Sequence, residues 1–364
     1  MTVKPTKVCL ISHTMHMGGM ERAMAGLANC FVKKPGLKIY LILLLKVERY
    51  YPLDTDIEII EPPFLLKSMP KWIYAIKALF WLRCTIKRLN PSTILSFGEY
   101  WNSFALIATI GLNYPKYVSD RSNPLDNFRF FHEFLRKYLY KSATGIIAQT
   151  QLASDILIVK TGNKNSLVVG NPIRIIADKG ENRENTIITV GRLIPFKQHA
   201  KMIKMFYELQ DPSWKLQILG DGPLSDNLIK LINELGLESQ VELLGSVKNV
   251  DEYLLKAKIF AFTSYYEGFP NALAEGMAAG LAPISFDCPA GPADLITDGK
   301  NGFLIPLNND ELFINRLKVL TSDEKLIEHF GSEARKFINN NYAESKVSDS
   351  ILNFILADKM YLHN

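Results

Sequence analysis

Near-continuous apolar runs recur along this chain, each followed by a stretch with helical spacing, and that alternation leaves few folds open. Residues 7–13 (KVCLISH) and 39–47 (IYLILLLKV) are apolar on both sides, as parallel strands covered on two faces must be. Between them, residues 21–31 repeat apolar positions at helical intervals. Further strands are expected at 93–97, 116–119 and 145–149. The second half restarts the pattern, with strands at 185–190, 214–219, 241–244, 259–262 and 282–285 and helices at 197–209, 225–234, 250–257 and 272–279. Strand-helix alternation of this kind builds an α/β, doubly wound sheet. At 364 residues the chain has room for two such sheets, since single cores stop growing near ~250–300 residues. The polar stretch 163–185, with Gly170-Asn171-Pro172, is the joint, and the reading is two Rossmann-like domains, 1–168 and 169–344, facing across a cleft. Ligands of such sheets bind beyond the strand C-termini.

The net charge of +5 conceals an asymmetry. Residues 1–170 carry 22 Lys and Arg against 11 Asp and Glu, whereas residues 171–364 carry 20 against 26. A basic half joined to an acidic half points to an anionic partner for the first: nucleic acid, phospholipid or a phosphorylated substrate. Nucleic acid is set aside, because no recognised motif is present and the aromatics accompany aliphatics on helices instead of forming a stacking sheet. Cys9, Cys30, Cys84 and Cys288 are scattered without a CxxC, which argues against a disulfide framework and a zinc site. The N-terminal segment lacks the features of a signal peptide, and no run reaches the ~18–20 apolar residues of a membrane span. The expected location is the cytoplasm.

Three segments concentrate chemistry. The first, His13 to Arg22, follows the first strand and opens the first helix; its Gly18-Gly19 pair lets backbone approach an anion at a helix N-terminus. Its spacing is not GxGxxG, which disfavours a nicotinamide enzyme. The second is Gly191-Arg192 with Lys197, two cations on a loop at a strand end, able to clamp a diphosphate. The third places Glu267 in a Gly/Pro turn and Glu275 in the following helix. Two carboxylates so spaced can each take vicinal hydroxyls of a sugar, while the amides of Asn271, Ala272 and Leu273 face a phosphate between them. Asp54-Thr55-Asp56 reads as a metal-binding D-x-D, yet it lies far from every other motif and is taken as a solvated turn.

These elements, in order and spacing, resemble the GT4 family of retaining glycosyltransferases with the GT-B fold, as do Gly220-Asp221-Gly222-Pro223, Leu244-Gly245-Ser246-Val247 and 301–305. The resemblance covers most of the chain and is densest from 191 to 305. It implies that Glu275 holds the ribose hydroxyls of a nucleotide sugar and that Glu267 stands beside the transferred sugar. Arg192 and Lys197 would stabilise the departing diphosphate, Gly19 would near it when the cleft closes, and Val247 would meet the base through main-chain atoms. Preorganised cations and amides help most where charge develops in the transition state. No metal and no cofactor are implied; the nucleotide sugar is a substrate. The helix expected at 345–364 would pack back onto the first domain. Many relatives carry a His after the strand matching 116–119; here Ser119-Asp120-Arg121 stands instead, and Asp120, Arg121 and His16 are the candidates to meet the acceptor. The run 287–292 looks like that of galactosyl- and N-acetylgalactosaminyl-transferring members, so a UDP-sugar is expected. GDP-mannose as donor, and a non-catalytic nucleotide-sugar-binding protein, are the alternatives.

Residues 70–89 and 127–141 mix aromatics with Lys and Arg at helical spacing. Basic amphipathic helices with aromatic belts suit an anionic membrane interface, although the first could serve wholly as cover for the sheet. The expected partners are therefore a nucleotide-sugar donor, a glycan or polyprenyl-phosphate-linked acceptor, and the inner face of the cytoplasmic membrane, with attachment peripheral.

Overall fold

A computed structural model describes residues 5–126, 128–177, 180 and 182–360, the side chains of 358–360 excepted. Asn127, residues 361–364 and parts of the expected joint (178, 179 and 181) lie outside the described residues. The chain forms two units: unit 1 holds residues 1–172 together with 344–364, and unit 2 holds 173–343. The division falls after Pro172, four residues beyond the expected 168/169.

That sheet contains β1 (Thr6–Ser12), β2 (Leu37–Leu43), β3 (Glu58–Ile60), β4 (Thr93–Phe97), β5 (Lys116–Ser119), β6 (Gly145–Ala148) and β7 (Ser166–Val168). All pair in parallel, in the order β3-β2-β1-β4-β5-β6-β7, so the direction of winding reverses between β1 and β4. β2 stops short of residue 47, where Lys46, Glu48 and Arg49 are exposed. The edge strands β3 and β7, three residues each, carry no long apolar run and were not expected.

Side chains alternate between the two faces of each strand, and each face has its own helices. Val8 and Leu10 meet Met24, Leu27 and Phe31 of α1 (Gly19–Val32), together with Val347, Ile351 and Ile355 of the C-terminal helix Glu344–Met360. Cys9 and Ile11 meet Leu82 and Ile86 of α2 (Lys71–Leu89) and Ala105 of α3 (Glu99–Ala108). Val118 and Ile146 meet Tyr140 of α4 (Phe130–Lys141) and Leu157 of α5 (Gln151–Thr161). Helices α2 to α5 thus lie side by side on one face.

Unit 2 repeats the topology. β8 (Thr186–Val190), β9 (Lys215–Leu219), β10 (Val241–Gly245), β11 (Ile259–Phe262), β12 (Ala282–Asp287) and β13 (Phe303–Pro306) pair in parallel, in the order β10-β9-β8-β11-β12-β13. Its helices are α6 (His199–Tyr207), α7 (Ser225–Glu234), α8 (Val250–Lys256), α9 (Asn271–Ala278), α10 (Pro292–Leu295), α11 (Asp310–Ser322) and α12 (Glu324–Asn341). The helix expected at 197–209 is broken at Gln198, whose φ of 55° separates a 3-10 turn, Pro195–Lys197, from α6. Lys197 therefore stands in a loop. All four cysteines are free, and among the described residues no helix is long and apolar enough to cross a membrane.

One polar network is buried in unit 1. Ser96 Oγ donates to Asn102 Oδ1 (2.7 Å), Asn102 Nδ2 to Tyr140 Oη (3.0 Å), and Tyr140 Oη to Asp120 Oδ2 (3.2 Å). Arg136 Nη2 completes it at 2.6 Å from Asp120 Oδ2, both side chains being buried. Burial raises the Tyr140 hydroxyl well above its ordinary range, so it donates and does not ionise. The Asp120 carboxylate is thus an internal anchor for α4. Removing it with Asp120→Ala leaves a buried guanidinium uncompensated and should cost about 3–5 kcal/mol, read by denaturant unfolding; a loss below about 1 kcal/mol would contradict the network.

Candidate functional site

Of the residues singled out in the sequence, those in unit 2 gather at the C-terminal edge of its sheet, on loops after β8, β10 and β11. β8 and β11 are the neighbours between which the winding reverses, the place where open α/β sheets hold ligands. Gly191 and Arg192 follow β8, and the turn Pro195–Lys197 returns the chain to the edge. Gly220 supports this loop: its φ is 138°, and a Cβ there would stand 2.0 Å from Gly191 O.

The loop after β11 is stitched to the loop after β8. Thr263 Oγ1 donates to Lys197 O (3.0 Å), Tyr265 N–H to Phe196 O (2.7 Å), and the Phe196 and Tyr266 rings stack at 4.8 Å. These ties set Lys197 Nζ 2.5 Å from Glu267 Oε1, with both side chains largely buried. Arg192 is exposed and joins no ion pair among the described residues. An exposed cation and a paired one therefore share this edge.

Glu275 lies within α9, which packs tightly on β11: a Cβ at the next residue, Gly276, would meet the Phe260 ring at 2.3 Å. Glu275 Oε1 accepts from Arg174 Nη1 at 3.1 Å. Asp251 of α8 grips the same guanidinium through Nε (3.2 Å) and through Nη2, and these hydrogen bonds raise the Arg174 pKa. Val247, half-buried in the loop after β10, packs on the core below. At the start of α9 the Asn271 N–H is taken by Phe269 O (2.9 Å), while the other two expected amides, those of Ala272 and Leu273, make no backbone hydrogen bond among the described residues. His199, first residue of α6, is buried; desolvation pushes it down to about 4, with the Arg192 and Gly191 backbone offsetting part of the shift. Neither ring nitrogen meets a partner in good hydrogen-bond geometry, so the neutral form is the one buried.

In unit 1, Gly18 and Gly19 open α1 as expected. The Gly18 N–H donates to Tyr51 Oη (3.3 Å), which donates back to Gly18 O (2.9 Å), while Thr14 Oγ1 donates to Glu21 in the first turn (3.2 Å). A carboxylate already faces this helix N-terminus. A side chain at Gly19 would meet no atom within 4 Å, so packing does not require glycine there. His16 is exposed, and His13 stacks on Trp101 with centroids 3.9 Å apart. Arg121 lies over the Phe97 ring at 4.4 Å and bonds Asn171; burial lowers its pKa to about 10. Half-buried Asp54 and exposed Asp56 form a turn in which Asp54 Oδ1 accepts from the Asp56 N–H at 3.1 Å.

Residues 173–337, nearly the whole of unit 2, match the family described as glycosyl transferases group 1. Over 351 residues, 90% of this chain and 94% of the relative, the sequence is 35% identical to the Campylobacter jejuni N-acetylgalactosamine-N,N'-diacetylbacillosaminyl-diphospho-undecaprenol 4-alpha-N-acetylgalactosaminyltransferase. This chain belongs to the group 1 glycosyltransferases. The transferase is also 26% identical to the amylovoran biosynthesis glycosyltransferase AmsD of Erwinia amylovora, over 89% of its own length and 92% of that protein. Among solved structures it resembles apo lipopolysaccharide outer core galactosyltransferase WaaB, with a TM-score of 0.79 at 19% identity, covering 97% of this chain and 100% of that one. Anabaena HepE in complex with UDP gives a TM-score of 0.76 at 16% identity, covering 98% and 100%. These likenesses establish the GT-B fold.

Two partners of the candidate residue Glu275 were not announced by the sequence: Arg174, which bonds it, and Asp251, which holds Arg174. Arg174 is one of several charged residues in the joint, and its partners lie 77 and 101 positions away, beyond the reach of any local spacing rule. If Glu275 meets a nucleotide sugar as the resemblance implies, Arg174→Ala and Glu275→Gln should each weaken its binding roughly ten- to a hundredfold, and the double variant should lose much less than the product. Calorimetric titration checks this, and additive losses would separate the two residues. A second expectation concerns pH. The folded state holds His199 neutral to about pH 4, while the unfolded chain protonates near 6.5, so stability falls as pH drops through that window. The slope should approach about 1.4 kcal/mol per pH unit, and His199→Gln should flatten it in unfolding curves taken between those limits.

Proposed function

We propose that this transferase moves a hexose or N-acetylhexosamine, with retention of configuration and without a metal, from a UDP-sugar to a lipid-linked glycan at the cytoplasmic membrane surface. The observation that carries the reading is the Lys197–Glu267 pair, held 2.5 Å apart by two stitched loops where the winding of the second sheet reverses. Lys197 is positioned to meet the charge that builds on a departing diphosphate, and exposed Arg192 can swing to the same group. The Ala272 and Leu273 amides offer further donors at the start of α9. Glu267 takes hydroxyls of the transferred sugar and Glu275 those of the ribose. No group is assigned as a covalent nucleophile.

The preference for UDP-GalNAc, UDP-GlcNAc or UDP-Gal is supported by two observations. The C. jejuni relative is named as an N-acetylgalactosaminyltransferase with an undecaprenol-linked acceptor, and the HepE likeness is to a UDP complex. Its acceptor is the reason for proposing one carried by a polyprenyl diphosphate in surface glycan assembly.

A thermal-shift panel of UDP, GDP, ADP and CDP sugars should single out a UDP-sugar, since a ligand of the folded state raises the melting temperature by mass action. Stabilisation by GDP-mannose alone would transfer the donor assignment to mannose. Transfer should persist in EDTA, and Lys197→Ala should lower kcat about a hundred- to a thousandfold. Turnover by Lys197→Ala at the parental rate would remove the proposed electrostatic role.

A further inference from the structure

α4 is packed the wrong way round for a helix that merely covers a sheet. Its buried side is polar: His132, Arg136 and Tyr140 point inward, where Arg136 and Tyr140 hold Asp120. Its outward side is aromatic: Phe130 is 87% exposed and Phe131 70%, with Phe134 and Tyr138 on the same side. At 100° per residue the two sets lie on opposite sides of the helix. The buried ion pair forbids a half-turn that would hide the rings, because the charged side chains would then lose their partners. α2, in the same layer, buries Tyr74, Ala78 and Leu82 and shows Trp72 (67% exposed), Ile76 and Phe80 (68%) at four-residue intervals. Between these two helices lies α3, whose Tyr100 stacks on His132 at 4.0 Å and is itself exposed.

The fully exposed charges on α2, α3 and α4 are all basic, the acids Glu99 and Glu133 being half-buried. α2 contains no Asp or Glu and exposes Lys71, Lys77, Lys87 and Arg88. α4 exposes Lys137 and Lys141, and its single acid, Glu133, faces Arg136 and Lys160 at 3.5 Å each. The opposite face of the sheet differs: among the described residues, neither α1 nor the C-terminal helix shows a large exposed apolar side chain.

We infer that the outer surface of α2, α3 and α4 is a docking face for an anionic lipid bilayer. Rings and aliphatic side chains enter the interfacial region, and the flanking ammonium and guanidinium groups meet lipid phosphates. A second copy of this chain is a poorer occupant, since a two-fold contact would set the same cations against one another. A helical layer lying on the bilayer sets the strands of the first sheet along the membrane plane, so that their C-terminal loops open sideways over the lipid headgroups. The inference rests on the reading of a lipid-linked acceptor only for its purpose; the surface itself is independent of the donor site.

The test uses the full chain and vesicles of phosphatidylcholine with or without phosphatidylglycerol, separated by flotation. The parental protein should bind the phosphatidylglycerol vesicles, less so at high salt. Phe130→Ser, Phe131→Ser and Phe134→Ser combined should weaken binding roughly tenfold or more without lowering the melting temperature, the rings being exposed. Lys137→Glu with Lys141→Glu should do the same. Equal binding by the aromatic variant, equal binding to pure phosphatidylcholine, or a parental dimer that the variant dissolves would each overturn the inference. Loss of vesicle binding with donor stabilisation intact leaves the transferase reading standing, and the converse result leaves the docking face standing.

Discussion

Two neighbouring parallel strands cannot be joined by a tight turn; the chain must cross back over the sheet, and it does so through a helix. Every strand therefore releases its C-terminal loop on the same edge. Where the winding reverses, two adjacent strands send their following helices to opposite faces and leave a gap at that edge. In unit 2 those strands are β8 and β11, and the loops bearing Lys197 and Glu267 are the two that leave the gap. Residues 70 positions apart in sequence become a 2.5 Å pair because of a topological rule. The side chains then refine what the winding has placed.

Exposed Arg192 apart, the charged groups of this edge are already satisfied by one another. Lys197 faces Glu267, and Glu275 faces Arg174, which Asp251 holds in turn. In unit 1, Thr14 and Glu21 form a similar internal arrangement at the start of α1. A ligand entering such a site exchanges partners instead of meeting bare charges, so the protein does not hold unpaired, half-buried ions in its absence. The exchange also confers selectivity, because a ligand lacking the right hydroxyls or phosphate oxygens leaves these groups worse paired than before.

Much of this was legible in the sequence. The two-domain α/β plan follows from continuous apolar runs, which only doubly covered strands require. The β4, β5 and β11 spans lie where apolar residues and flanking turn signals put them. Glu267, Glu275, Arg192 and Lys197 stood out because chemistry and loop position coincide. Other features were invisible for definite reasons. β3 and β7 are three-residue edge strands whose pairing comes from the neighbouring strand and not from their own pattern. Arg174 has no local signature. Asp120 was read as a candidate to meet the acceptor; that it also anchors α4 depends on Arg136, sixteen positions later, and has no local signature. The amphipathic periodicity of α4 was plain, but only the packing reveals that its aromatic side is the outer one.

The terminal helix has a consequence for how the protein is made. Val347, Ile351 and Ile355 pack on one face of the first sheet, yet they follow the whole of unit 2 along the chain and so leave the ribosome after it. Unit 2, continuous from 173 to 343, has its entire core available before that helix emerges. The half synthesised first is therefore the half completed last. Until then the nascent chain carries an open apolar sheet face, the kind of surface that holdase chaperones cover.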